Sequence, residues 1–157
     1  MEFFKLLRHL AYLTALVFFA FFELASSDLV RRTFEFAVFN TGKPVVEDRM
    51  LYSADSPELN IKSYVEESIL GPVSVDLAPL LTRGTKLRSF MFRDKTVYAD
   101  FSGEAVIPVP GGLPLFDSFV ILNRGIRRNF RYVRDVKLFV NGNEVFFTEF
   151  SKIFGAE

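Results

Sequence analysis

The stretch from Ser56 to Phe101 constrains the fold most strongly, because it combines a helix with defined ends and a strand pair. Ser56-Pro57-Glu58 has the features of a helix start: a capping hydroxyl, a proline at the first helical position and an acid in the first turn. Leu70-Gly71-Pro72 predicts the helix end, since glycine accepts the left-handed conformation and proline cannot continue a helix. The segments Lys86–Phe92 and Thr96–Phe101 then predict a hairpin. A fold built around this unit contains both helix and sheet.

Strand and helix patterns repeat on both sides of this unit. Four more strands are predicted, two before it and two after it: Thr33–Phe39, Val45–Tyr52, Val133–Val140 and Glu144–Phe147. Asn141-Gly142 is a hairpin signal between the last two. A second helix opens at Leu113-Pro114, with apolar residues at helical spacing: Leu115, Phe119, Leu122 and Ile126. The order β-β-α-β-β-α-β-β predicts an α+β fold, with two helices packed on a mixed or antiparallel sheet of about six strands.

The first 27 residues have the composition of an export signal or of an uncleaved membrane anchor. A basic leader containing Lys5 and Arg8 precedes the apolar run Leu10–Phe22. Ala25 and Ser27 are small residues at the positions required for cleavage after Ser27. The same run would serve as an anchor if it were retained, and both interpretations stay open.

Both interpretations place residues 28–157 outside the cytoplasm, on the periplasmic or cell-surface side. The domain is then either secreted or held on the inner or cytoplasmic membrane through residues 6–25. A buried core helix is the third interpretation, and it is disfavoured because no polar face interrupts the apolar run. The predicted organisation is a signal or anchor over 1–27, one domain over 28–147, and a C-terminal tail over 148–157.

Composition excludes several classes of chemistry. The chain has no cysteine, and its only histidine, His9, lies in the N-terminal segment. The domain therefore lacks the residues of Ser-His-Asp and Cys-His catalysis and of common zinc sites. Lys plus Arg and Asp plus Glu number 19 each, and such a balance gives no broad surface for nucleic acid. We expect no cofactor, no metal and no nucleic acid partner.

Five arginines in and after the second predicted helix are the main candidates for partner binding: Arg124, Arg127, Arg128, Arg131 and Arg134. Helical spacing from 124 to 131 predicts four guanidiniums on one face near the helix C-terminus, where the helix dipole favours cations. Such a face suits carboxylates of a partner protein or phosphates of lipid headgroups. A solvated helix end is the alternative interpretation.

Carboxylates offer a second, weaker candidate. Asp100 and Glu104 flank the exit of the hairpin and are the best pair for a hydrolase of cell-wall glycans. Solvated acids or a loop cap are the simpler interpretation, and the same holds for Glu66-Glu67 on the polar helix face. Glu47 and Arg49, two residues apart on a strand, predict a surface ion pair worth well under about 1 kcal/mol.

Aromatic residues on strands offer a third candidate. The positions that an open sheet would leave uncovered are Phe39, Phe90, Phe92, Phe139 and Phe147. An exposed aromatic sheet face would bind a partner, whereas a core covered on both sides would bury these rings.

Five short motifs stand in a recognisable order and spacing: Val46-Glu47-Asp48-Arg49, Leu70-Gly71-Pro72, Arg83-Gly84-Thr85-Lys86-Leu87, Asp100-Phe101-Ser102 and Val140-Asn141-Gly142. Together they resemble the GerMN domain, a bacterial cell-envelope module first defined in a sporulation and germination protein, over roughly Thr33 to Val145. The matching positions are expected to be structural: Glu47, Arg49, Gly71, Pro72, Gly84, Thr85, Asp100 and Gly142. The departures are in turns, at Arg83, Asp94-Lys95 and Asn141, where the family usually has proline, Asp-Gly and aspartate.

The resemblance implies a non-enzymatic domain, exported or tethered to a membrane, that is similar in fold to ring-building modules of secretion and sporulation complexes. We therefore expect an interaction and assembly module of the bacterial cell envelope. Other envelope proteins are the expected partners, together with self-association. A cell-wall glycan-binding or carboxylate-based hydrolytic protein is the alternative.

Overall fold

The computed structural model describes residues 2–25 and 28–154. A helix, α1 (Glu2–Ala25), precedes the domain. The large apolar side chains of residues 10–21 on this helix are each more than half exposed. Among the described helices, none combines the length and the apolar character needed to cross a bilayer. The predicted cleavage position after Ser27 lies outside the described residues.

Three antiparallel strands form the first sheet, in the order β2-β1-β3. They are β1 (Leu29–Val38), β2 (Pro44–Tyr52) and the two-residue β3 (Leu77–Ala78). Alternation along β1 turns Phe34 and Phe36 inward, and both are almost fully buried. The β1–β2 hairpin therefore supplies one wall of the core.

A side chain, not a strand, covers the edge of β1 beyond β3. Asn129, the last residue of helix α3 (Leu115–Asn129), accepts a hydrogen bond from the Thr33 N–H at 3.0 Å and donates to the Thr33 carbonyl at 2.8 Å. Arg32 donates to the backbone carbonyl of Asn129 at 3.1 Å. These contacts fix the C-terminal end of α3 beside the start of β1.

Four strands form the second sheet, in the order β4-β5-β6-β7. They are β4 (Leu87–Arg93), β5 (Thr96–Phe101), β6 (Asp135–Val140) and β7 (Asn143–Glu144). The β5–β6 pair is parallel and the other two pairs are antiparallel. Asp94-Lys95 joins β4 to β5 with φ values of 51° and 62°, so the predicted hairpin forms a left-handed two-residue turn without glycine.

Helix α2 (Pro57–Leu70) connects the two halves of the core. Its Tyr64 ring stacks on Phe34 at 4.5 Å, and its hydroxyl donates to the Thr33 carbonyl at 3.2 Å. Gly125 of α3 lies directly against this tyrosine, because a Cβ there would come within 2.3 Å of the hydroxyl oxygen. Helices α2 and α3 thus meet at a contact that only glycine permits.

The predicted α+β class and the order of the predicted elements are confirmed, with three corrections. A short strand that was not predicted, β3, lies between α2 and β4. The strands form two sheets instead of one, because β3 and Asn129 bind the backbone groups of β1 that could have extended the first sheet. The last predicted strand is also shorter: β7 ends at Glu144, and Phe147 already belongs to a helix, α4 (Phe147–Phe154).

Helix α4 occupies most of the predicted tail, residues 148–157. Phe146, Phe150 and Phe154 are four residues apart, and successive ring centroids lie 6.0 Å apart. Phe150 is only 7% exposed and belongs to the core. The domain therefore continues through Phe154, and the apolar spacing explains why a helix forms there.

Candidate interaction surface

The five candidate arginines do not share one face. Arg124 forms an ion pair with Glu35 of β1. Arg127 projects to the other side of α3, where it lies 3.4 Å from the Asp135 carboxylate and 5.2 Å from the ring centroid of Phe154. The prediction of four guanidiniums on one helical face is therefore wrong, since these two side chains are engaged by different strands.

The other three arginines are exposed: Arg128, Arg131 and Arg134. Within the described part of the chain, none of the three forms an ion pair. Arg131 and Arg134 follow the end of α3 instead of belonging to it. Tyr132 lies between them, 43% exposed, with its ring against Phe92 at 5.7 Å and Phe130 at 5.9 Å. Partial burial raises the pKa of the Tyr132 hydroxyl.

Basic residues of other elements also lie near the C-terminal end of α3. The Arg134 N–H donates to the Lys95 carbonyl at 2.8 Å, which brings the β4–β5 turn to the end of α3. Arg32 lies 4.4 Å from the ring centroid of Phe130, which brings the start of β1 there as well. We call the whole set the basic end: Arg31, Arg32, Arg93, Lys95, Arg128, Arg131 and Arg134.

Few acids balance the basic end. Asp48 pairs with Arg31, and this hydrogen bond is the main reason that the pKa of Asp48 lies below its usual range. Asp94 pairs with Arg93 at 3.5 Å. Because the whole chain has equal numbers of acidic and basic residues, the basic end is a local excess of positive charge.

The N-terminal segment joins the domain at this end, since β1 begins at Leu29.

The Glu47–Arg49 pair predicted from the sequence is present, but it is not a solvated surface pair. The Arg49 side chain is 12% exposed and donates to Glu47 at 2.7 Å, to the Glu67 carboxylate at 3.0 Å and to the Gly71 carbonyl at 2.6 Å. Its guanidinium also lies 4.8 Å from the ring centroid of Phe34. Arg49 thus joins β2 to the C-terminal end of α2.

The chain reverses sharply where α2 ends. Gly71 has φ of 88°, and a Cβ there would lie 3.0 Å from Cβ of Pro79. Pro72 follows as the helix stop, and the next N–H, that of Val73, donates to Glu47 at 3.2 Å. The same acid therefore holds both Arg49 and the connector.

The remaining motif positions stabilise turns. Thr85 is buried and its hydroxyl donates to the Thr82 carbonyl at 2.7 Å, beside Gly84 with φ of 93°. Asp100 accepts a hydrogen bond from the Gly142 N–H at 2.9 Å, which ties β5 to the β6–β7 turn. These contacts give each motif residue a local structural role.

The candidate carboxylates are engaged in similar local contacts. Asp100 holds the β6–β7 turn, and Glu67 of Glu66-Glu67 binds Arg49. A hydrogen bond from the Ser102 side chain is the largest contribution that lowers the pKa of Glu104. A general acid needs the opposite shift. Within the described part of the chain, no cluster of three or more acidic or histidine side chains is placed to hold a metal ion.

The aromatic candidates are half-buried where the structure describes them: Phe39, Phe90, Phe92 and Phe139. Phe90 and Phe92 stand opposite Ala99 and Val97, so they belong to the core side of the second sheet. Phe139 stands opposite Asp100 on the other face. The side chain of Phe147 lies outside the described residues. Phe90 and Phe92 therefore lie on the opposite face of the second sheet from Phe139.

Comparison with solved structures found matches to domains of a sporulation protein and to a lipoprotein. The first GerMN domain of the sporulation protein GerM from Bacillus subtilis is 22% identical, with a TM-score of 0.48, over 74% of this chain and 86% of that one. The tandem GerMN domains of the same protein give 19% and 0.49, over 74% and 41%. The chain is similar to GerMN domains.

A candidate lipoprotein from Clostridium perfringens is similar as well, at 20% identity and a TM-score of 0.49, over 73% of this chain and 76% of that one. No family model matches the sequence. No curated protein matches it either.

Proposed function

We propose that this chain is an extracytoplasmic protein-interaction module of the bacterial cell envelope, exported or held at a membrane through its N-terminal segment. Its basic end docks onto an acidic surface of another envelope protein. The observation that carries the proposal is the group of three exposed arginines without ion-pair partners in the described chain, Arg128, Arg131 and Arg134, around the half-exposed Tyr132.

The composition of this surface favours a protein partner. Arginine and tyrosine are enriched among the residues that dominate the energetics of protein interfaces. Contacts with Phe92 and Phe130 hold the Tyr132 ring in place before any partner arrives, so little side-chain entropy is lost on docking. A free guanidinium can bind a carboxylate through two parallel hydrogen bonds. An acidic protein surface therefore complements this end.

The N-terminal segment supports an envelope location. Its basic leader, apolar run and small residues have the layout of an export signal. The segment joins the domain at the basic end, so a retained anchor would bring this surface close to the membrane. Partners are then expected among proteins of the same membrane face.

Charge reversal tests the proposal. The variant Arg128→Glu/Arg131→Glu changes two side chains that have no ion pair within the described chain, so the fold is expected to persist while partner recovery falls. Arg127 is avoided because it packs between Asp135 and Phe154. The matched control is Arg83→Glu/Lys86→Glu, an equal charge change at exposed positions near the opposite end of β4.

The measurement is recovery of crosslinked proteins from cells that express each full-length chain at equal level. Loss of a specific protein in the first variant, with retention in the control, supports the proposal. Equal recovery in all chains contradicts it. A first variant that keeps its protein partners but loses binding to vesicles of anionic phospholipid would assign the basic end to lipid headgroups instead.

A further inference from the structure

Strand β2 is an edge strand of the first sheet, and among the described residues no other strand pairs with its outer side. Thr33 directs both its N–H and its carbonyl toward Asn129 and away from β2. Its cross-strand partner is Asp48, which must therefore direct its own backbone groups away from β1. The bond from Ser53 N–H to the Asp28 carbonyl, at 2.6 Å, confirms this alternation at the hairpin end. The residues with outward backbone groups are Val46, Asp48, Met50 and Tyr52.

These groups have no backbone partner among the described residues. The other long edge strand, β4, has two features that discourage the addition of another strand. It has a bulge between Leu87 and Ser89, and the charged residues Arg88 and Arg93 lie along it. Strand β2 has a regular nine-residue register with β1 and no bulge. It is the edge best suited to accept another strand.

Exposed apolar side chains surround this edge on both faces. On the outer face, Met50 is 56% exposed and Tyr52 is 80% exposed. On the inner face, the bond between Val73 N–H and Glu47 brings the connector after α2 close to β2. Val73 and Val75 of this connector are 79% and 88% exposed. A strand added to β2 would remove apolar surface from water on both faces.

We propose that a second copy of this chain adds to the edge, with the two β2 strands antiparallel about a two-fold axis at Asp48. This register places Val46 opposite Met50 of the second copy on the outer face, once on each side of the axis. A shift that centres the axis on Glu47 sets Val46 opposite Asp48, and a shift to Arg49 sets Met50 opposite Asp48. Directly opposed side chains interact most strongly in a strand pair, so the register that sets apolar side chains opposite one another is favoured.

The central pair and helix α3 are compatible with this arrangement. The two Asp48 carboxylates meet at the axis, and each retains Arg31 of its own hairpin, so the four charges cancel. The inner faces of both copies lie on the same side of the joined sheet. The two β1 strands are then about 14 Å apart, at about 4.8 Å per strand. Helix α3, which packs against β1, is therefore separated from its counterpart by more than the about 8 to 10 Å that two packed helices need.

The absence of cysteine makes a register test direct. In Asp48→Cys, the two introduced thiols face each other across the axis, with Cα atoms about 5.5 Å apart, a separation that a disulfide spans. In Met50→Cys, the matched control, the two thiols are four residues apart along the pair, about 14 Å, and no disulfide can form. Val46→Cys/Met50→Cys restores facing thiols at two positions.

Each full-length variant is oxidised at micromolar concentration in a non-ionic detergent and run without reductant, and circular dichroism checks its fold. We expect covalent dimers for Asp48→Cys and for Val46→Cys/Met50→Cys, and monomer for Met50→Cys. Adding Met50→Pro to Asp48→Cys removes an outward N–H that no described residue uses, and the dimer should disappear. Monomer in all folded variants, or equal dimer in Asp48→Cys and Met50→Cys, overturns the proposal. Arg128 and Arg131, which the partner-recovery variant changes, are not on β2, so loss of partner recovery and loss of dimer are separate results.

Discussion

Replacing Arg49 by alanine should destabilise the domain far more than the sequence suggests. The guanidinium donates to three acceptors, on Glu47, Glu67 and Gly71, and lies over the Phe34 ring. Removing one partner from a buried ion pair costs about 3 to 5 kcal/mol. The Arg49 and Glu47 side chains are 12% and 18% exposed, so water recovers part of this cost. We expect a loss of about 2 to 4 kcal/mol in the free energy of unfolding.

Arg31→Ala is the matched control, because Arg31 forms its ion pair on the outer face of the same hairpin. Its side chain is 72% exposed, and water screens a pair of this kind, so its loss should change the free energy of unfolding very little. Urea unfolding, followed by far-ultraviolet circular dichroism in a non-ionic detergent, gives both values. Arg49→Lys should fall between wild type and Arg49→Ala, since lysine keeps the charge but loses the planar, multiply bonded contact. Equal losses for Arg49→Ala and Arg31→Ala would refute the assigned role of Arg49.

Three further perturbations test the packing of α2 and α3 on β1. Gly125→Ala should lower Tm despite the higher helix propensity of alanine, because its Cβ would come within 2.3 Å of the Tyr64 hydroxyl; the double variant with Tyr64→Phe should recover most of the loss. Burial raises the pKa of Tyr64 above its unfolded value of about 10, so the stability from this residue is complete below that pH and is lost as pH rises further. Thermal melts across this range should show a weaker pH dependence in Tyr64→Phe, and an unchanged dependence would contradict the assignment. Asn129→Ala removes both hydrogen bonds to Thr33 and should cost about 1 to 3 kcal/mol in the same urea assay; no loss would show that the β1 edge needs no such cover.

Local signals in the sequence predicted the elements that depend on neighbouring residues. The α2 stop at Gly71-Pro72 and the hairpin at Asp94-Lys95 each need only a few adjacent positions, and both are present in the structure. The stripe of Phe146, Phe150 and Phe154 was equally local and would have predicted α4. The division into two sheets could not be found in this way. It depends on the bonds between Asn129 and Thr33, which are 96 residues apart in the sequence.

The interaction surface was predictable only in part, for the same reason. Arg128 and its neighbours were visible as a run of basic residues in the sequence. Arg124 and Arg127 do not belong to the exposed group, because they bind Glu35 of β1 and Asp135 of β6, and the sequence does not show these contacts. Arg32 joins the basic end only because β1 begins where α3 stops. Glu47 and Arg49 were predicted as a weak surface pair because the sequence does not show that α2 covers them.

Photocrosslinking in cells, from a reactive amino acid in place of Tyr132, tests the central claim most directly. Tyr132 is half-exposed at the centre of the basic end, and the same probe in place of Arg83, exposed near the opposite end of β4, provides the matched site. The account predicts a defined protein adduct from position 132 that disappears in Arg128→Glu/Arg131→Glu and is absent from position 83. No protein adduct from position 132, or release of soluble fragments from purified peptidoglycan by the wild-type chain, would contradict it.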